Sequence, residues 1–267
     1  MASFDFDPAA VPVPFRMQPG LQRLGPGARH LTPLAPGSAL WREKQQVAQG
    51  GASRLAVPGF DAGPAIAAIL AQARAEGLPA SEPIELAFEE DFAVLEGAGG
   101  TLPWLCVCVP SHWAPEQKLG QGFAAVHAPV ADNQALLAAG ARLVQLVTGG
   151  DPFERHVWTV SPSGRYDQHP GRQPRAPWPG ADDPDRFARQ CFLRAERQTF
   201  LPVPGAARQA VFTIRVMLRP LAEAISTPAQ ALRLHDALAS MSEAVLAYKN
   251  LGPARAPLLA WLQGRSG

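Results

Sequence analysis

Cysteine is almost missing from this sequence. Cys106, Cys108 and Cys191 are the only three, too few and too odd in number for a disulfide framework. Cys106 and Cys108 stand two apart on an expected strand, so both are read as pointing to one face. They would make half of a soft-metal site, but no second pair completes it, and buried small hydrophobes is the better reading. An excess charge of either sign is also lacking. The 24 basic residues stand against 23 acidic ones, for a formal net charge of +1, which leaves no electrostatic footprint for nucleic acid or for a membrane surface. No run of about 18 apolar residues occurs, so no membrane-spanning helix is expected. The leading Met-Ala-Ser-Phe-Asp-Phe-Asp lacks a basic region and an apolar stretch. No secretory signal is read there, and a reducing cytoplasm is the expected setting. No internal repeat is present.

What is abundant is proline and glycine, 28 and 24 residues, which punctuate the chain into short elements. Residues 1–38 read as an extended arm pinned by Phe15, Met17, Leu21 and Leu24. Helices are expected at 39–49 and 64–76, and strands at 84–88, 92–96 and 102–109. Asp132 caps an expected helix through Val147, and a strand over 154–160 leads into a long Pro/Gly/Asp-rich loop at 161–185. Strands at 192–201 and 210–218 form a hairpin, and Pro228 opens a helix to about 249, with a short helix at 256–263. This order predicts an α+β body, an antiparallel sheet with helices gathered to one side and a helical C-terminus. The expected division is an arm and short helix over 1–50, a body over 51–220, and C-terminal helices over 221–267 packed on the same domain.

Two stretches carry the candidate chemistry. His127 follows an apolar strand and a polar turn and sits beside Val126, Ala128, Pro129 and Val130 with no adjacent carboxylate. Desolvation keeps such an imidazole neutral, the form that ligates metals, although a core histidine has the same surroundings. In 192–200, period-two alternation puts Arg194, Glu196 and Gln198 on one face and Leu193, Ala195, Arg197 and Thr199 on the other. Three aligned polar residues read as a solvated sheet surface or as a pocket wall. Gly120-Gln-Gly-Phe-Ala-Ala125 fits a dinucleotide fingerprint but lacks its preceding strand. His156, His169 and Asp167 read as solvated residues around a mobile loop rather than a metal cluster. His235 and Asp236 read as a surface patch.

The order Cys108-Val-Pro-Ser-His-Trp-Ala-Pro-Glu-Gln-Lys-Leu-Gly120 followed by His127-Ala-Pro-Val130 resembles the heme-dependent oxidative N-demethylase family. The likeness continues at Glu89-Glu-Asp-Phe-Ala-Val-Leu95, Arg155-His-Val-Trp158 and Phe192-Leu-Arg-Ala-Glu-Arg-Gln-Thr-Phe200. It implies a PAS-like sheet, heme b as cofactor with His127 as axial ligand, and oxygen-dependent removal of a methyl group from a secondary amine such as dimethylamine, releasing formaldehyde. It also implies that Glu196 pairs with the substrate ammonium and that Arg194 holds that carboxylate or stabilises developing charge. Arg197 would reach heme propionates, and Gln198, Arg155 and Trp158 would complete the cofactor pocket.

Val157 stands where the family pattern Arg-x-Asn-Trp has an amide, and Ala131 where a proline is preferred. The chain has no Rossmann or flavin motif and too few cysteines for an iron–sulfur cluster. Electrons are therefore expected from another polypeptide, which the resemblance implies is an NADPH-dependent flavin/iron–sulfur reductase. A heme-binding gas or ligand sensor without turnover, or a degenerate subunit without heme, are the alternatives.

Overall fold

The computed structural model describes residues 4–25, 27–206 and 208–266; the reading of the extreme N-terminus falls partly on residues 1–3, outside them. Its strands are β1 (Gln22–Arg23), β2 (Arg54–Ala56), β3 (Glu90–Glu96), β4 (Thr101–Cys106), β5 (Phe153–Ser161), β6 (Phe192–Pro202) and β7 (Gln209–Pro220). Helices α1 (Ala39–Gln49), α2 (Gly63–Ala75) and α3 (Ile84–Ala87) precede β3. Four short ones, α4 (Pro115–Lys118), α5 (Phe123–His127), α6 (Gln134–Ala138) and α7 (Gly140–Val147), lie between β4 and β5. The remainder are α8 (Pro184–Arg189), α9 (Leu221–Ala224), α10 (Pro228–Ala239), α11 (Glu243–Tyr248) and α12 (Gly252–Gln263).

Among the described residues the strands form one antiparallel sheet in the order β1-β5-β6-β7-β3-β4-β2. Its central five, counted along the chain, run 2-1-5-4-3, as the expected PAS-like sheet does. The β6–β7 hairpin is its spine, in register from Phe192↔Pro220 to Pro202↔Ala210.

Alternation along these strands creates two unlike faces. Leu193, Ala195, Trp158, Val160 and Met217 point to one of them and meet the C-terminal helices α8–α12 in the largest core. Phe92, Val94, Trp104 and Val211 continue that face beneath α2 and α3. The opposite face meets α1 through Ile214 and Val216, and α7 through Phe200 and Phe212. Local chemistry fixes several helix starts. Ser38 Oγ accepts from Trp41 N at 3.1 Å, and Thr227 with Gln230 forms a capping box at Pro228, satisfying amides that a helix start leaves orphaned. No helix among the described residues is long and apolar enough to cross a membrane.

Several expected elements take other forms. Residues 84–88 are not a strand. Ile84–Ala87 is a helical turn after Pro83, and Ile84 and Phe88 are both fully buried in the α2 core. Five residues, Ile-Glu-Leu-Ala-Phe, are too few for their apolar spacing to separate the two. The helix expected from Asp132 starts only at Gln134, because Asp132 has φ +50° and accepts from Ser242 Oγ at 2.7 Å instead of capping, and it is interrupted at Ala139. The helix over 228–249 is likewise split, with Ser242 starting α11 by accepting from Val245 N. Cys106 and Cys108 are both buried and free, but Cys108 lies beyond the end of β4 and enters a different cluster from Cys106.

Loop 161–185 is not solvated at its centre. Asp167, Gln168 and His169 are buried. Arg172 grips Asp167 at 2.8 Å and donates to Cys108 O at 3.0 Å, while His169 Nε2 lies 3.1 Å from Glu116 Oε2. The N-terminal arm is pinned as expected, with Phe15 and Met17 against the main core and Leu21 against Phe153. β1 pairs with β5 only at Phe153 and Glu154. Farther along that outer edge, Lys249 Nζ donates to Trp158 O at 2.8 Å.

Candidate functional site

Arg194, Glu196 and Gln198 share the face of β6 turned away from the C-terminal helices, as alternation requires. Their neighbours on β5 are Thr159, Val157 and Arg155, and on β7 Leu218, Val216 and Ile214. A polar row therefore lies between largely apolar walls, where charge–charge interactions are weakly screened.

The row is continuous. Arg155 Nε donates to Gln198 Oε1 at 2.6 Å, and Gln198 Nε2 donates to Glu196 Oε2 at 2.7 Å. Ser111 Oγ donates to the other carboxylate oxygen, and Arg194 Nε donates to Ser111 Oγ at 2.8 Å. Arg194 is 2% exposed. Its remaining nitrogens donate to Val109 O, Arg165 O and Tyr166 O at 3.2, 3.2 and 2.9 Å, which ties loop 161–185 to the segment after β4. Burial pushes the Arg194 guanidinium down to about 10, against the attraction of Glu196. Burial also lowers Arg155 and takes the Lys249 ammonium to about 8, again with Glu196 opposing. Three desolvated cations thus feel one carboxylate.

His127 ends α5. Its Nδ1 lies 2.8 Å from Phe123 O. A carbonyl only accepts, so Nδ1 carries the proton and Nε2 keeps its lone pair. Phe123 is set by two glycines. A Cβ at Gly140 would come within 2.9 Å of the Phe123 ring, and one at Gly100 within 2.6 Å of Val144 and 3.3 Å of Phe123. The Phe123 ring in turn lies 4.1 Å from the imidazole, tilted by 31°. Asn133 Nδ2 holds His127 O at 3.1 Å. Burial lowers the His127 pKa against the Phe123 hydrogen bond, and the charges of Arg155 and Lys118 lower it further. The outcome is a neutral, oriented imidazole with Nε2 available. This is the arrangement of a metal-ligating histidine, whose second nitrogen is fixed by a backbone carbonyl.

The structure brings Arg155, Arg194, Glu196 and Gln198 together and puts Arg155 near enough to His127 for its charge to be felt. It does not bring Trp158 or Arg197 to this face. Trp158 is buried in the core under the C-terminal helices, edge-on to Phe15 at 5.9 Å. Arg197 pairs with Glu154 at 2.8 Å and donates to Arg29 O at 2.8 Å. The physical reason is the strand period: Arg155 and Trp158 are three apart, so they must point oppositely. Ser111, to which the sequence reading gives no role, belongs to this row as well. Its neighbour His112 has φ +59°, and burial, then Arg175 and Arg194, push its imidazole down to about 4. Among the described residues no group of three or more His, Cys, Asp or Glu is placed to hold a metal ion.

A family model described as heme-dependent oxidative N-demethylase, alpha subunit-like, matches residues 73–259. That span holds α5, the strand β6 and every member of the polar row, and it covers well over half of the sequence. The chain therefore belongs to the heme-dependent oxidative N-demethylase alpha-subunit-like family.

Proposed function

We propose that this chain binds heme b through His127 Nε2 and serves as the oxygenase subunit for N-demethylation of a small secondary amine. Dimethylamine is the substrate to test and formaldehyde the released product. The observation that carries the reading is the His127 imidazole, neutral and fixed through Nδ1 so that Nε2 is the ligating nitrogen. Bound heme supplies the oxygen and electron-transfer chemistry.

The chain's own residues do the rest. Glu196 offers a carboxylate to an ammonium ion, with Val157, Ile214 and Val216 beside it on the neighbouring strands. Arg155 and Arg194 balance that carboxylate while the site is empty of substrate. Arg197 and Trp158 take no part, since both lie across the sheet. Electrons come from a separate NADPH-dependent flavin/iron–sulfur reductase component.

The decisive experiment is reconstitution of wild type and His127→Ala with hemin. The mutant should fold, by far-ultraviolet circular dichroism, and lose the stoichiometric Soret band. An unchanged histidine-ligated spectrum in the mutant would assign the iron to another residue. One observation favours a second reading, a ligand sensor without turnover. Val157 is the Cα partner of Glu196 and stands where the resemblance places an amide. Formaldehyde released per heme, with reductant in excess, separates the two readings. If the missing amide limits the reaction, Val157→Asn should raise turnover by about 10²–10³, the scale of one oriented donor in a dry site. Full heme occupancy with no turnover in either protein would favour the sensor.

A further inference from the structure

We infer that Ser111 is a positioning residue for Glu196, joining it to Arg194 while keeping the two ions apart. This deepens the reading in which Glu196 receives an ammonium ion. The argument begins with donor direction. A guanidinium only donates. The Nη nitrogens of Arg194 donate to the carbonyls of Val109, Arg165 and Tyr166, and only Nε faces Ser111. Ser111 Oγ therefore accepts from Arg194, and its single proton is committed to Glu196 Oε1. The same logic governs the other oxygen. Gln198 Oε1 accepts from Arg155, so Gln198 Nε2 must donate to Glu196 Oε2.

Each carboxylate oxygen thus takes one hydrogen bond from within the protein and keeps lone-pair capacity for a ligand. A direct Arg194–Glu196 pair would do the opposite. A bidentate fork would occupy both oxygens and neutralise the carboxylate toward any incoming cation. Arg194 cannot close in this way, because the three carbonyls hold its fork. The serine itself is held from outside the sheet. Its neighbour Pro110 accepts from Gln168 N at 3.1 Å, and Cys108 O accepts from Arg172 at 3.0 Å. His112 turns the chain with φ +59°, a conformation that histidine adopts more readily than most residues. Loop 161–185 and the turn after β4 together place one hydroxyl between a buried guanidinium and a half-buried carboxylate.

The test has two independent arms on the full chain. Glutamate labelled with carbon-13 at Cδ, compared with Glu196→Gln, identifies the Glu196 resonance in the heme-free protein. Ser111→Ala should move that resonance and Ser111→Thr should leave it in place. Arg194→Lys should move it when Ser111 is present and not in the Ser111→Ala background. Calorimetric titration of the heme-loaded protein with dimethylammonium chloride forms the second arm. Ser111→Ala should weaken binding by about 10- to 100-fold, the scale of one hydrogen bond to a charged group, and Ser111→Thr should restore it. A Glu196 resonance indifferent to Ser111→Ala, or a response to Arg194→Lys that survives loss of Ser111, overturns the proposal. A wild type that binds no dimethylammonium while the resonances behave as expected leaves the positioning role standing and removes the amine-binding reading.

Discussion

Along β6, Leu193 and Ala195 alternate with Arg194 and Glu196, and the two sets meet opposite worlds. Leu193 and Ala195 are fully buried under α8–α12, among Trp158, Val160, Met217 and helix side chains. Their stabilisation scales with area and is shared by many neighbours, so it has no preferred direction. Arg194 is equally buried, yet each of its nitrogens has a named acceptor. On that side each hydrogen bond is directional and each loss strands a polar group. One strand thus carries a face that holds the fold and a face that holds a charge pattern, separated by the thickness of the backbone. Substitutions on the first should change stability, and substitutions on the second should change what the molecule binds.

The largest expected effect tests the apolar face. Leu193→Ala should cost about 2–5 kcal/mol of unfolding free energy through lost burial and the cavity left behind. Heme uptake per folded molecule should be unchanged. Chemical denaturation beside Soret titration checks both halves, and a selective loss of heme binding would break the division between faces.

Next comes a polar group on the apolar side. Glu90 shares a face with Phe92 and is 1% exposed. Its Oε2 accepts from Thr32 N at 2.9 Å, while Oε1 has no hydrogen-bond partner among the described residues. Burial raises its pKa from 4.5 to about 7. A carboxyl whose folded value exceeds its unfolded one costs nothing below pH 4.5. The cost grows between 4.5 and 7 and is constant above. Glu90→Gln should therefore stabilise the fold by up to about 3 kcal/mol at pH 8 and by little at pH 4. Melting curves across that range decide it, and a pH-independent difference would show that the carboxyl titrates normally.

On the polar face, Glu196→Gln should weaken dimethylammonium binding by about 1–3 kcal/mol, because the isostere loses the charge and turns an amide NH2 toward one of the two groups that donate to the carboxylate. Equal affinities in a titration would mean that the carboxylate does not contact the cation. The smallest effect belongs to Gly140→Ala, whose added methyl must displace the Phe123 ring at 2.9 Å. A cost of about 1–2 kcal/mol follows from overpacking, together with a displaced imidazole resonance for His127. An unmoved His127 signal would show that Phe123 does not set the ring.

How much of this was legible in the sequence depends on the range of the interaction. The period-two pattern of 192–200 placed Arg194, Glu196 and Gln198 on one face, because sheet alternation is local and strict. The same rule, applied to Arg155 and Trp158, puts Trp158 on the other face, an alternation that the resemblance of the whole block masks. His127 could be read as neutral from its apolar neighbours, whereas the bond to Phe123 O required a helix whose start could not be placed. The late start after Asp132 and the new start at Ser242 escaped because each side chain serves a distant partner, and the two partners are each other. Ser111 escaped for a similar reason. Its partners lie 83 and 85 residues away along the chain, a separation that no local pattern encodes. Loop 161–185 looked solvated from its composition, and tertiary bonds of Asp167 N to Glu43, of Arg172 to Cys108 O and of His169 to Glu116 draw it inward.

The short reach of β1 bears on how these molecules meet one another at high concentration. β5 is nine residues long and its outer neighbour covers two of them. An outermost strand with bare amides and carbonyls is a template on which another chain can polymerise. Here the Lys249 ammonium takes the carbonyl of Trp158 and sits over the rings of Phe15 and Trp158, 5.4 and 5.9 Å from their centres. An incoming strand that paired at Trp158 would have to evict this lodged cation, so Lys249 withdraws one carbonyl of the outer edge from strand addition.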